Sequence, residues 1–83
     1  MSFMEKYDKL VSIAYFIQSE ETGSLDNFAK KCEIEKRTLS NLIDTLRQFT
    51  GRHGAEIRYD RDRKTYYFDP PGKFTNFEFK ENH

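Results

Sequence analysis

The spacing of apolar residues changes once along the chain, and this change constrains the fold more than any other feature of the sequence. Up to Phe49, apolar residues recur at intervals of three and four, which is the period of an amphipathic helix. After Gly54, the residues Ala55, Ile57 and Tyr59 alternate with polar residues, which is the period of a half-buried strand. The sequence therefore predicts an α+β fold in which helices come first and a β-hairpin follows.

Three helical stretches precede this change of period. We expect a first helix over residues 3–19, a second helix that begins after an N-terminal cap at Ser24, and a third helix over residues 36–49. The apolar stripes of these helices are expected to meet the hairpin in one core. The residues placed in this core are Leu10, Ile13, Ile17, Phe28, Leu39, Ile43, Leu46, Ile57 and Phe68.

The second half of the chain predicts a hairpin and then a short tail. The hairpin spans residues 55–68, and its polar turn at residues 60–64 has no glycine, which favours a longer loop over a tight two-residue turn. Pro70 and Pro71 end the second strand, because proline cannot donate a hydrogen bond to a β-ladder. A chain of 83 residues has no room for a second core, so we expect one domain over residues 1–69, followed by the tail.

The tail (residues 70–83) and the first helix carry more aromatic surface than one small core requires. Two structures stay open for the tail, in which Phe77 and Phe79 alternate: a third, edge strand, or a segment that orders only against a partner. The apolar surface of the first helix is broader than one stripe, which is typical of a helix that packs against another subunit. The sequence therefore predicts a homodimer. The aromatic residues expected to serve protein contacts are Tyr15, Phe16, Phe74, Phe77 and Phe79.

Charge is balanced overall but uneven along the chain. The 14 basic and 14 acidic residues give a net charge of zero. Residues 36–64 nevertheless hold eight basic and four acidic residues, between acidic flanks. Two interpretations stay open for this segment: a solvated surface of mixed charge, or a modest basic surface that binds a polyanion.

Several classes of function are not expected from this sequence. It has no apolar run of about 18 residues, so no membrane span is predicted, and its N-terminus lacks the apolar core of a signal peptide. The single cysteine, Cys32, cannot form an internal disulfide, which favours a cytoplasmic location. Cys32, His53 and His83 do not have the spacing of metal ligands, and neither a glycine-rich phosphate loop nor a Ser-His-Asp pattern is present. We therefore expect no catalytic residues, metal, cofactor or small-molecule ligand.

The segment LDNFAKKCEIEKRTLSNLIDTLR, residues 25–47, resembles the helix-turn-helix of DeoR-type winged-helix regulators. The positions that match the family pattern are Ala29, Ile34, Lys36, Arg37, Thr38, Leu39, Ile43 and Leu46. The segment AEIRYDRDRKTYYF, residues 55–68, resembles the wing of the same family, in which a strand ending in Tyr-Asp leads through a basic turn into an aromatic strand. The resemblance covers residues 8–69 and implies a small winged helix-turn-helix fold.

Two features depart from the family pattern. The family usually has serine at the position of Glu35; glutamate is a poor N-terminal cap, and its carboxylate would face phosphate in a complex with DNA. The family's regulators also carry a C-terminal effector-sensing domain, whereas about 14 residues follow the wing here. The resemblance therefore implies a DNA-binding fold rather than a ligand-controlled repressor.

The function implied by the resemblance is sequence-specific binding of double-stranded DNA by a transcriptional regulator. In this fold the third helix enters the major groove, and cations of the wing contact phosphate or the minor groove. The implied contacts are Lys36, Arg37, Thr38, Ser40 and Asn41 in the helix, and Arg58, Arg61, Arg63 and Lys64 in the wing. Arg37 matches guanine and Asn41 matches adenine in their hydrogen-bonding geometry. Two alternatives stay open: these are exposed polar positions without a ligand, or the domain is a winged-helix module that binds protein rather than DNA.

Overall fold

The computed structural model describes residues 2–75 and 78–82, and the elements in them are three helices followed by two β-hairpins. The helices are α1 (Phe3–Ser19), α2 (Leu25–Cys32) and α3 (Lys36–Gly51), and the strands are β1 (Glu56–Asp60), β2 (Thr65–Asp69), β3 (Gly72–Thr75) and β4 (Glu78–Glu81). β1 pairs with β2 and β3 pairs with β4, each as a separate antiparallel sheet. The predicted α+β fold is confirmed, and its layout is compatible with a winged helix. In the described part of the chain, every helix is too short or too polar to cross a membrane.

The helix boundaries follow from residues that cap the helices. Ser24 caps α2, as predicted, and its hydroxyl accepts a hydrogen bond from the backbone N–H of Asn27 at 3.4 Å. Glu20 and Glu33 end α1 and α2 in the left-handed conformation, each with a φ of 56°, so the chain turns directly after each helix. α3 begins after Glu35 and runs two residues beyond its predicted end.

The β1–β2 hairpin is the wing expected from the sequence, and we use that name for it below. Ile57 lies opposite Phe68 in the strand register, and both side chains are buried. The loop between the strands is closed by the Asp60 carboxylate, which accepts hydrogen bonds from the backbone N–H groups of Asp62 at 2.9 Å and Arg63 at 3.2 Å. The predicted loop longer than two residues is confirmed.

The core contains all nine residues that the sequence places there. Phe28, Leu39 and Leu46 are fully enclosed, with relative exposures of 0%. Leu39 and Leu46 lie on one stripe of α3, and their burial fixes the rotation of that helix about its axis. The opposite stripe of α3 must therefore face solvent.

The tail differs from both structures predicted for it. It forms a second hairpin, in which Phe74 and Phe79 lie opposite each other and are buried in the core. Phe79 packs edge-on against Phe68, with ring centroids 5.0 Å apart. Gly72 permits this hairpin, because a Cβ there would collide with a backbone carbonyl oxygen of β4. Phe77, the other residue of the predicted alternation, lies outside the described residues.

Candidate nucleic-acid interface

The exposed face of α3 carries the residues predicted to contact bases. Lys36, Arg37, Ser40 and Asn41 are exposed, whereas Thr38 is half-buried. Arg37 and Asn41 are four residues apart, so they are neighbours on the same stripe of the helix. The fold therefore brings the two predicted base-reading side chains together on a surface that is free of core contacts.

Two carboxylates share this face of α3. Asp44 is exposed one turn beyond Asn41, and its carboxylate pairs with the guanidinium of Arg47 at 3.0 Å. Glu35 stands at the start of the helix, and its side chain makes no capping hydrogen bond in the described structure, as expected for a poor cap. The sequence analysis did not single out Asp44 as a site residue, although its helical spacing from Arg37 places it on the same stripe.

The cations at the start of α3 differ in their pairing. Lys36 Nζ lies 3.0 Å from a carboxylate oxygen of Asp26 in α2, and both side chains are exposed. Arg37 has no ion-pair partner among residues 2–75 and 78–82. The positive charge that α3 offers to a ligand is therefore concentrated on Arg37.

Arg58 lies on β1 and is held by two carboxylates. Its guanidinium lies 2.5 Å from Glu56 on the same strand and 3.0 Å from Asp69 on β2. Since Glu56 and Asp69 face each other in the strand register, Arg58 closes the base of the hairpin. Its charge is compensated within the wing itself.

The wing loop carries three more cations with two different environments. The guanidinium of Arg63 donates a hydrogen bond to, and forms an ion pair with, the carboxylate of Glu20 at the end of α1. This hydrogen bond and the nearby negative charge raise the pKa of Arg63 above its usual value. Arg61 and Lys64 are exposed and have no ion pair in the part of the chain that the structure describes. They are the wing cations available to an external anion.

An open cleft of about 520 Å³ lies between the wing and the start of α2. Arg61 and Lys64 line it from the wing, and Ser24 and Asn27 line it from α2. Tyr59 forms part of its wall and packs edge-on against a second tyrosine ring of the wing at a centroid distance of 4.9 Å. The two unpaired wing cations therefore face a groove that is wide enough for a polymer backbone rather than a flat surface.

A pair of buried threonines holds the wing in this position. The backbone N–H of Thr22 donates to the hydroxyl of Thr65 at 3.1 Å, and the backbone N–H of Tyr66 donates to the hydroxyl of Thr22 at 2.9 Å. Thr22 and Thr65 have relative exposures of 0% and 1%. The pair connects the α1–α2 loop to the first residues of β2, and the sequence analysis did not identify it.

Other reactive groups do not form a second site in the described residues. Cys32 is half-buried, and burial raises the pKa of its thiol, so the thiol stays protonated at neutral pH. Within residues 2–75 and 78–82, no three side chains of the metal-ligating types lie close enough together to hold a metal ion.

Comparison of this chain with protein-family models, with curated proteins and with solved structures finds no match. The resemblance to DeoR-type regulators therefore stays an expectation from the sequence. The support for a function comes from the exposed face of α3, the unpaired cations and the cleft beside the wing.

Proposed function

We propose that this chain binds double-stranded DNA in a sequence-specific manner, as a small transcriptional regulator of the cytoplasm. The observation that carries the proposal is the exposed stripe of α3, on which Arg37 and Asn41 are adjacent and Arg37 has no ion pair in the described structure. Arg61 and Lys64, likewise without ion pairs there, lie on the wing that follows this helix in the winged-helix layout. Helix and wing together give a base-reading element and a backbone-binding element.

The chemistry of α3 suits the major groove. A guanidinium forks onto O6 and N7 of guanine, and a carboxamide pairs with N6 and N7 of adenine. Four helical residues span roughly 6 Å along the axis, which corresponds to about two base-pair steps of B-DNA. Arg37 and Asn41 therefore read positions within one short site. Ser40 and Lys36 lie beside them at the helix start, where contacts to phosphate are common.

The wing supplies contacts that do not depend on sequence. Arg61 and Lys64 hold phosphates from the side of the cleft, and each neutralised phosphate releases counterions. The proposal thus separates two kinds of residue. Loss of a base-reading side chain changes specificity, whereas loss of a wing cation weakens binding to all duplexes alike.

One observation favours a second candidate function, a module that binds protein rather than DNA. Three of the cations predicted to contact DNA are paired with carboxylates, and Glu35 and Asp44 add negative charge to the face of α3. The paired cations are Lys36, Arg58 and Arg63. Such a surface of alternating charge matches a protein surface of complementary pattern.

We also propose that the chain forms a homodimer through α1. Met4 and Tyr15 are 63% and 64% exposed, and helical spacing places both on one stripe with the half-buried Val11. The aromatic residues Phe74 and Phe79, expected to serve protein contacts, are buried within the chain itself. The dimer proposal therefore rests on α1 alone, and paired half-sites on DNA would match its two-fold symmetry.

The test is a binding titration against pooled random duplexes at two salt concentrations, followed by recovery of the preferred site. Arg37→Ala is expected to cost about 1–3 kcal/mol on that site and to relax the preference at one base pair. Lys80→Ala is the matched control, because it removes an exposed cation of β4 on the second hairpin. Absence of binding to any duplex at either salt concentration would refute the proposal and favour the protein-binding alternative.

A further inference from the structure

The loop between α1 and α2 is attached to the wing at two neighbouring points. The first point is the buried pair of Thr22 and Thr65, whose hydrogen bonds measure 2.9 and 3.1 Å. The second is the ion pair between Glu20, at the end of α1, and Arg63, in the wing loop. The two points lie two residues apart on both segments, so they act on the same short stretch of the hairpin.

Both partners of the ion pair are held by their own backbones. Glu20 is the left-handed C-terminal cap of α1, and its N–H donates to the carbonyl oxygen of Ile17 at 3.1 Å. The backbone N–H of Arg63 donates to the Asp60 carboxylate at 3.2 Å. The side chain of Glu20 is 29% exposed, whereas that of Arg63 is 55% exposed. The carboxylate is therefore the fixed member of the pair, and the guanidinium reaches across to it.

We propose that Arg63 is a positioning residue that latches the wing to the α1–α2 loop through Glu20, and that backbone contacts of the wing belong to Arg61 and Lys64. This inference rests on the proposed DNA binding. A phosphate that took Arg63 from Glu20 would leave an unpaired carboxylate next to itself, and like charges at that distance repel. Arg61 and Lys64 have no such partner in the described structure, so phosphate contacts cost them no ion pair.

The two roles predict different salt dependences. Each cation that neutralises a phosphate of B-DNA adds about 0.9 to the slope of log affinity against log salt. Arg61→Ala is therefore expected to lower the slope by about 0.9. The double variant Glu20→Gln/Arg63→Gln removes both members of the latch without changing the net charge, and it is expected to leave the slope unchanged. A slope lowered by about 0.9 in this double variant would make Arg63 a phosphate contact and overturn the inference.

Charge reversal separates positioning from contact in a second way. Arg63→Ala breaks the latch, and we expect affinity for all duplexes to fall about twofold to fivefold, the range of an exposed ion pair. The double variant Glu20→Arg/Arg63→Glu restores an ion pair with opposite orientation and is expected to recover the wild-type affinity. A direct phosphate contact predicts the reverse, because the double variant would present a glutamate to the backbone.

Hydrogen exchange tests the latch without DNA. The amide of Tyr66 donates to the Thr22 hydroxyl, so its exchange rate reports how firmly the wing is attached to the loop. Arg63→Ala is expected to speed this exchange about twofold to fivefold, and the reversed pair to restore it. An unchanged rate in Arg63→Ala would overturn the latch even if DNA binds. Absence of duplex binding in the wild-type protein would instead refute the proposed function, and the exchange rates would still decide the latch.

Discussion

Glu35 is the N-terminal cap residue of α3, and its replacement by serine tests how the sequence sets both the stability of that helix and the charge of its exposed face. The backbone of Glu35 has φ −68° and ψ 147°, close to the −65° and 170° of Ser24, the cap of α2. The Glu35 carbonyl oxygen already accepts the first helical hydrogen bond, from Leu39 at 2.9 Å. A serine at this position therefore finds a helix start of the right shape, with the backbone N–H of Thr38 available to its hydroxyl.

The expected gain follows from the capping bond that Glu35 does not make in the described structure. Serine is better than alanine at an N-terminal cap by typically about 1 kcal/mol. Glu35→Ser is thus expected to raise the free energy of unfolding by about 1 kcal/mol relative to Glu35→Ala, measured by urea denaturation. For DNA binding the two variants are expected to behave alike, because both remove the same carboxylate from the edge of the groove and strengthen binding.

The pair of variants separates two effects that the wild-type residue combines. Equal unfolding free energies for the serine and alanine variants would refute the capping argument. Unchanged affinity in both variants would instead show that Glu35 does not face the phosphates, and α3 would then lie differently on DNA or not contact it.

Three further predictions concern the core, the wing and the α1 surface. Ile43→Ala is expected to lower the free energy of unfolding by about 2–5 kcal/mol, the usual cost of truncating a buried isoleucine; a loss below about 1 kcal/mol would mean that α3 is oriented differently. Thr22→Val keeps the side-chain volume and leaves the Tyr66 amide without its acceptor, so we expect a loss of about 1–3 kcal/mol in the same denaturation assay, and a neutral result would contradict the role of the threonine pair. Sedimentation at micromolar concentration is expected to give twice the chain mass of 10.0 kDa, and Tyr15→Lys to give the monomer; a monomeric wild-type protein would contradict the dimer.

Local periodicity made most of the fold predictable. The change of spacing after Gly54 separates helices from strands, because side chains repeat every 3.6 residues in a helix and every two in a strand. The same stripes identify the core, including Leu39, Ile43 and Leu46, and thereby the exposed stripe of α3 that carries Arg37. The face of the candidate site thus follows from the sequence, since it is the complement of the buried face.

The tail was not predictable in the same way. Its strands β3 and β4 are four residues each, too short for an alternating pattern to be distinctive. Phe74 and Phe79 are buried by pairing with each other and with the core, which depends on the fold of the whole chain. The close approach of the two strands at Gly72 has no signature in local spacing.

The electrostatic state of the candidate site was also hidden in the sequence. Lys36 and Asp26 are ten residues apart, and Arg63 and Glu20 are 43 apart, so no local spacing rule connects them. Counting charges in residues 36–64 gives a basic segment, but the fold brings in carboxylates from outside that segment. The structure therefore reduces the available cations of the predicted site to a smaller set, Arg37, Arg61 and Lys64 within the described residues.

The central claim is that the exposed face of α3 and the wing loop contact DNA, and backbone amide chemical shifts measured during titration with the preferred duplex test it most directly. We expect the largest shift changes in residues 37–41 and 61–64, with few changes along the exposed stripe of α1 that includes Tyr15. The changes in residues 37–41 are expected to depend on the sequence of the duplex, whereas those in residues 61–64 persist with any duplex. Shift changes centred on α1, or none at saturating duplex, would contradict the claim.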